Sequence, residues 1–314
     1  MAAVRARRSD NAPIAENDFL NYISSLHMSE RIYACLANRT LLHSLTAIPL
    51  AQDPEAVRYI IPEMLRIPDQ VREGKATPFI HPHSRDLAHG WLDSATKPGE
   101  NDCLSPGLRD FVNINAESLP PAELVSATQA LILFLIQHAF STDRPESNLI
   151  DIAFKILAKW RNMLWTTGFQ GMSDDLSPWQ TWILAESLRR TILMAYLLEG
   201  TYCAWTLGWC THQLFVYALP FSTQGGLWLA DSEEEWFAQA NDRSMGSPAA
   251  AARELTSLKE LTLNFARSPF QPGDDLFQKL LLVSHHGRKS VESRLARIGQ
   301  EGAKPWVTMM SFSL

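Results

Sequence analysis

Cysteine is scarce in this sequence, and its spacing fits no metal or disulfide framework. The 314 residues include four cysteines, Cys35, Cys103, Cys203 and Cys210, and no two of them form a CxxC pair. Zinc clusters and zinc fingers need closely spaced Cys and His ligands, and disulfide-built domains need cysteine at a higher density. The cysteine spacing therefore argues against both a zinc site and a disulfide-built domain, and it favours a reduced, intracellular compartment.

Motifs for nucleotide binding and nucleophilic catalysis are also missing. The sequence has no GxSxG, P-loop or GxGxxG segment, and its 15 glycines are scattered along the chain. A phosphate-binding loop needs glycines clustered at the start of a helix. The nucleophile elbow of a hydrolase needs the two glycines that flank the serine in GxSxG. We predict no catalytic residue and no cofactor-binding residue, and hence a protein that is not an enzyme.

The chain has neither a strong positive charge nor a long uninterrupted apolar run. Its formal net charge is −6, which argues against a stand-alone nucleic-acid binder. Leu124 to Phe140 and Gly200 to Ala230 carry no formal charge, but polar residues interrupt the first, and proline and glycine interrupt the second. A membrane span needs about 20 consecutive apolar residues. We therefore predict that both stretches are buried helices and that the chain has no membrane span.

Helical periodicity is what the sequence has in abundance. In "NLIDIAFKILAKWRNMLW", Ile152, Ile156 and Trp160 recur at the spacing of one helix face. The stretch "SPWQTWILAESLRRTILMAYLLEGTY" opens with a capping box, Ser177 and Gln180, and then becomes apolar on nearly every side, as a buried helix does. Further helices are predicted over 17–44, 52–68, 121–141, 200–217, 248–266 and 274–298.

Proline and glycine place the loops, and they indicate one domain. The longest predicted loop covers 72–120, and no convincing series of alternating strands or long linker appears. We predict an all-α fold with a single large helical domain over 17–314, preceded by a flexible basic tail over 1–16. Arg5, Arg7 and Arg8 in this tail are either a solvated charge cluster or a weak nuclear-localisation signal.

Three histidines, His81, His83 and His89, lie close together in "ATPFIHPHSRDLAH". A catalytic zinc site presents its ligands together from one helix or strand, with spacings such as HExxH. Pro82 keeps this segment extended, so that neighbouring side chains point apart. We predict no metal site here or elsewhere in the chain.

The remaining charged constellation is Glu186 with Arg189 and Arg190. The acid precedes the two arginines by three and four residues, so the three side chains share one face of a helix. Buried carboxylate and guanidinium groups keep their charge by pairing with each other. We predict a structural ion pair, because acid–base catalysis would need a second acid that the local sequence does not offer.

Three stretches in order resemble the fungal-specific transcription factor domain, the regulatory or middle homology region of fungal zinc-cluster and C2H2 proteins. The first is "ATPFIHPH", which is similar to the family's "PPFIHP" element. The second is the helix with Trp179, Trp182, Glu186, Ser187, Arg189, Arg190 and Thr191. The third is "LPFSTQGGLWLADSEEEW", through Leu219, Pro220, Leu227, Trp228, Ala230, Ser232, Glu235 and Trp236.

The resemblance implies an all-α fold and a role in gene regulation. It makes the histidine stretch a proline-bent extended connection, with Phe79 and Ile80 anchored in the core. It also implies structural roles for the residues that carry the motifs, Trp179, Trp182, Glu186, Arg189, Arg190, Trp228 and Trp236.

This sequence departs from the family in one respect. Full-length members usually carry a zinc DNA-binding module ahead of this domain, and no zinc-ligand cluster is present here. We therefore expect a nuclear regulator or co-regulator of a fungal pathway, such as a secondary-metabolite gene cluster, that contacts DNA weakly or only through protein partners. The partner is either a DNA-binding transcription factor or a second copy of the chain.

Two alternatives stay open. An enzyme or carrier of secondary metabolism could use the same helical scaffold, with an aromatic-lined interior that holds an apolar small molecule. The chain could also be a decayed, inactive fragment.

Overall fold

The computed structural model describes residues 48–51, 53–84, 91–92, 104–140, 147–167, 176–212, 214–241, 255–267 and 275–302. This part of the chain is mostly helical, and its helices pack into one body, which confirms the predicted all-α class. The predicted tail over 1–16, the predicted helix over 17–44 and His89 lie outside the described residues. The domain boundaries stay a prediction.

The described elements follow one another in a helical order with short strands and turns. They are β1 (Ile48–Ala51), α1 (Pro54–Leu65), α2 (Ile67–Arg72), a 3-10 turn (Pro82–Ser84), α3 (Leu104–Asn113), a second 3-10 turn (Ala116–Ser118), α4 (Pro121–Ala139), α5 (Ser147–Thr167), α6 (Pro178–Leu207), β2 (Trp209–His212), a 3-10 segment (Leu214–Ala218), β3 (Pro220–Phe221), α7 (Gly225–Trp228), α8 (Glu233–Asn241), β4 (Thr256–Ser257), α9 (Leu258–Arg267), α10 (Leu276–His286) and α11 (Arg288–Gly302).

Helices α4, α5 and α6 pack against one another and form the centre of the fold. α4 is long and apolar enough to cross a membrane by length and composition alone, but 78% of its most apolar window is buried inside the protein. α6 starts at the predicted capping box, in which Ser177 accepts a hydrogen bond from the backbone N–H of Gln180. The predicted buried helices over 121–141 and 177–202 are therefore present.

The predicted separate helix over 200–217 is wrong. α6 continues to Leu207 and ends at Gly208, whose φ of 77° is the left-handed conformation that commonly ends a helix. Trp209–His212 then forms β2, which pairs antiparallel with Ile48–Ala51. A second short antiparallel pair joins β3 to β4. These strands pair across long separations in sequence, which local periodicity does not reveal.

Three other predicted boundaries also need correction. The predicted loop over 72–120 contains the helix α3, whose first turn includes Pro106, where a missing N–H is tolerated. The predicted helix over 52–68 is two helices, because Pro68 has no N–H to continue the hydrogen-bond ladder of α1. The predicted helix over 274–298 is divided at Gly287, with a φ of 80°, into α10 and α11. Of the predicted helix over 248–266, residues 248–254 lie outside the described part.

Candidate functional site

The Arg190 side chain lies at the centre of a buried network of charges. It is 0% exposed, and its Nε donates to Oε1 of Glu186 at 2.9 Å, one turn earlier on α6. Its two terminal nitrogens donate to the two carboxylate oxygens of Asp275 at 3.2 and 2.8 Å. Such a two-pronged contact fits the planar guanidinium group and fixes its orientation.

The same guanidinium group also reaches the backbone of two other segments. Its Nη1 donates to the carbonyl of Pro78 at 3.3 Å and its Nη2 to the carbonyl of Ser222 at 3.4 Å. The backbone N–H of Ser222 in turn donates to Oε1 of Glu186 at 3.0 Å. The three stretches that carry the sequence resemblance therefore meet at one side chain, Arg190.

Two aromatic rings complete the surroundings of this side chain. The guanidinium carbon is 4.3 Å from the ring centre of Trp228 and 4.8 Å from that of Phe277. Cations held over aromatic faces are stabilised by the negative charge of the ring face, most strongly where water is excluded. The aromatic contacts therefore offset part of the cost of burying this charge.

The network contains equal numbers of positive and negative side chains. Arg189, whose side chain is 15% exposed, lies 3.4 Å from Oε2 of Glu186, so that two cations adjoin two carboxylates. Burial alone lowers the pKa of Arg190, but Asp275 and Glu186 outweigh it and raise this pKa above its usual value. Burial lowers the pKa of Arg189, with Glu186 opposing the shift. The sealed, paired arrangement suits a structural role better than acid–base chemistry.

The histidine stretch lies against this network as a buried connection. The predicted extended conformation at Pro82 is wrong, because Pro82–Ser84 is a 3-10 turn that leaves the ring centres of His81 and His83 only 5.7 Å apart. Phe79 and Ile80 are 0% and 1% exposed, and the Phe79 carbonyl accepts from Nε2 of Gln129 at 2.9 Å. His81 is 1% exposed, and its ring centre is 5.3 Å from that of Trp228. Trp228 also donates from its indole nitrogen to the Thr77 carbonyl at 2.8 Å. Tertiary packing therefore anchors this segment at several points.

His81 and His83 have different environments. Burial, and to a lesser extent the neighbouring His83, lowers the pKa of His81 to about 4. His83 places its Nε2 at 3.1 Å from the carbonyl of Asp231 and its ring centre 5.0 Å from that of Trp179. Within the described residues, no group of three or more His, Cys, Asp or Glu side chains is arranged to hold a metal ion.

A tryptophan cluster adjoins the charged network. Its buried members are Trp182, Ile183, Leu227, Trp228, Ala230, Trp236 and Ala240, with Trp179 and Phe237 packed against them. The ring centres of Trp182 and Trp236 are 6.0 Å apart. Arg190 over Trp228 joins this cluster to the ion network. The motif residues predicted from the sequence thus fall into two adjoining sets, one charged and one aromatic.

Comparison with known proteins gives a partial match. The chain is distantly similar to a fungal transcription factor. Over 126 aligned residues it is 31% identical to the protein named Transcription factor gsfR2 of Penicillium aethiopicum. The match covers 36% of this chain and only 30% of that relative's length. No family model and no solved structure matches the chain.

Sequence reasoning missed one member of the network, Asp275. This residue is 85 positions from Arg190, and no local pattern links the two. Asp275 also accepts from the backbone N–H of Phe277 at 3.0 Å and so caps the start of α10. An Asp directly before an apolar helical stretch is a recognisable cap signal, but it does not indicate the second partner.

Proposed function

We propose that this chain is a helical regulatory domain that controls transcription in a fungal nucleus. The observation that carries the proposal is the convergence of the three resembling stretches on Arg190 through Pro78, Glu186 and Ser222. The three stretches that carry the resemblance are therefore joined to one another inside the folded body. The partial similarity to a fungal transcription factor supports the same role.

The proposal gives the domain no enzymatic activity. Glu186 and Arg190 are both 0% exposed and are paired with each other, so that a substrate has no direct access to them. Acid–base catalysis requires a group within hydrogen-bonding distance of a reacting atom. The charged network instead supports a rigid scaffold on which protein partners dock.

The proposal assigns the reading of DNA to a partner. The net charge of −6 disfavours tight binding to phosphates, and Arg288 on α11 already pairs with Glu292 at 2.8 Å. We predict that the purified chain binds promoter fragments weakly at physiological salt, and that this binding fades further as salt rises. Tight, sequence-selective binding by the chain alone, measured by a gel-shift titration, would refute this part of the proposal.

A tethering experiment tests the regulatory role. The chain is fused to an unrelated DNA-binding module and directed to a reporter promoter in a fungal cell. We expect reporter expression to change relative to the module alone. Arg190→Met should abolish the change, because it removes the hydrogen bonds that join the motif segments, whereas Arg58→Met should preserve it, because the Arg58 side chain is 74% exposed. An unchanged reporter at equal protein level would contradict the proposal.

Transcript profiling addresses the proposed pathway. We infer that the natural targets are genes of one fungal pathway, with a secondary-metabolite biosynthetic cluster as the leading candidate. Deletion of the gene should alter expression of a neighbouring group of biosynthetic genes. Normal expression of all of them would favour the alternative, a small-molecule carrier or an enzyme on the same scaffold.

A further inference from the structure

A pocket of about 110 Å³ lies between α1, α6, α10, the 3-10 segment Leu214–Ala218 and the first residue of α9, Leu258. It is open to solvent on one side. Its α6 wall runs from Leu193 to Ala204, C-terminal to Arg190, so the pocket is distinct from the charged network. The motif residues do not line it, and nothing in the proposed regulatory role requires it.

The pocket has an aliphatic side, called the floor here, and a more polar side, called the wall. The floor consists of aliphatic side chains, among which Ile60, Leu193 and Leu281 are 2%, 1% and 4% exposed. The wall carries Tyr217, whose hydroxyl lies 3.1 Å from Nδ1 of His285. Apolar pockets with a few polar groups on one side are typical of small-molecule sites. This arrangement fits a ligand with an apolar body and one polar group.

Gly200 leaves an open space in the α6 wall. Glycine inside a helix is less favourable than alanine by about 1 kcal/mol, because it loses more backbone entropy on folding. A Cβ atom placed on Gly200 would meet nothing within 4 Å. Packing therefore does not require glycine here, and a larger side chain at this position would extend into the pocket without a backbone clash.

The charges at the pocket disfavour ionic ligands. Glu199 lines the pocket, and its carboxylate pairs with Arg161 at 2.5 Å, which largely cancels its charge. The guanidinium carbon of Arg161 lies 3.5 Å from the ring centre of Tyr196, also in the wall. None of the described lining residues is a lysine or an arginine, so the lining offers an anion no permanent positive charge. A neutral ligand fits this wall best.

We propose that this pocket binds a small uncharged ring compound that carries a hydroxyl or carbonyl group. The ring lies on the aliphatic floor, and the polar group meets Tyr217 and His285. The size agrees with this class, since an apolar cavity of about 150 Å³ holds benzene and this pocket is open on one side.

Binding is measured on the purified full chain by calorimetry with four probes. Phenol and cyclohexanol are uncharged and carry a hydroxyl, toluene lacks the polar group, and benzoate is an anion. We expect saturable binding of phenol and cyclohexanol with Kd of about 0.1–1 mM, within the range that ligands of this size reach. Toluene should bind about 3–10-fold more weakly, the equivalent of one hydrogen bond, and benzoate should not bind.

The site is located by chemical protection of Cys203, which lines the pocket and is partly exposed. Phenol at saturation should slow the alkylation of Cys203, followed by peptide mass spectrometry. Equal alkylation rates with and without phenol would place any binding elsewhere and overturn the proposal.

Two variants test the geometry. Gly200→Leu fills the open space and should abolish phenol binding with the unfolding midpoint unchanged or raised. Thr206→Leu, on the same helix but outside the pocket, is the matched control and should bind as the parent does. Tyr217→Phe should weaken phenol about 3–10-fold and leave toluene unchanged, which tests the polar wall even if Gly200→Leu fails to fold.

Besides equal alkylation rates, three results would overturn the proposal: no saturable binding of phenol or cyclohexanol, parental affinity in a folded Gly200→Leu variant, or benzoate binding more tightly than phenol. Because these measurements concern binding alone, they stand whatever the outcome of the tethering experiment.

Discussion

Replacing Glu186 by alanine should be strongly destabilising. Its Oε1 accepts from Nε of Arg190 at 2.9 Å and from the backbone N–H of Ser222 at 3.0 Å, and both charged side chains are 0% exposed. Removing one partner of a buried ion pair costs about 3–5 kcal/mol, because the remaining charge loses its compensation inside the protein. Asp275 still neutralises Arg190 in this variant, so we expect about 3 kcal/mol, the lower end of that range.

The measurement is equilibrium unfolding in urea, with the free energy of unfolding taken from linear extrapolation. An exposed pair provides the matched control. Arg58 and Glu55 lie 2.8 Å apart on α1, with side chains 74% and 37% exposed, and Glu55→Ala should change the free energy by no more than about 0.5 kcal/mol.

A combined variant separates two costs: that of leaving the buried charge of Arg190 without a counter-charge, and that of losing its hydrogen bonds. Glu186→Gln with Arg190→Met and Asp275→Asn removes three of the four charges at once and leaves Arg189, whose side chain is 15% exposed. Buried charges replaced together are often tolerated. We expect this triple variant to be less destabilised than the sum of its single changes. A Glu186→Ala protein within about 1 kcal/mol of the parent would refute the reasoning, since this would mean that water or a rearranged side chain compensates Arg190.

Three further outcomes are expected. Because burial lowers the pKa of His81 from 6.5 to about 4, the unfolded chain binds a proton that the folded chain does not. Stability should therefore fall as the pH drops from 6.5 towards 4, by up to about 3 kcal/mol, and urea midpoints that stay flat over this window would contradict it. Ser177→Ala removes the capping box of α6 and should lower the free energy of unfolding by about 1 kcal/mol, as thermal or urea melts would show. Elemental analysis of untagged protein should show no stoichiometric metal, and one zinc per chain that is lost on replacing His81 and His83 would overturn this.

Local patterns in the sequence were enough to place the central helices. The helical spacing over α5 is confirmed, but its buried face runs through Ala153, Leu157 and Trp160, and the predicted stripe member Ile152 is 40% exposed. The pair Ser177 and Gln180 marks the first turn of α6. These signals act within one or two helical turns, so neighbouring residues contain the information. For the same reason, the spacing of Glu186, Arg189 and Arg190 indicated three of the four charged members of the network.

Features that depend on distant segments were not predictable in this way. Asp275 joins Arg190 only because the packing of α10 against α6 brings them together. The strand at Trp209–His212 forms only with its distant partner Ile48–Ala51. The helical periodicity of α6 continues to the residues just before this strand and therefore hides it. The pocket beside Gly200 likewise arises from five segments, and a single glycine in a helix does not reveal it.

The bonds of Arg190 have a consequence for dissecting this protein by truncation. Its partners come from Pro78 near one end of the described chain and from Asp275 near the other. Any deletion clone that stops short of α10 removes Asp275 and leaves a buried guanidinium with one carboxylate fewer. Loss of activity in such a clone would report collapse of the whole body, and would say nothing about where the removed segment acts. Mapping of functional regions should therefore rely on point substitutions at exposed positions, with both ends of this connection kept intact.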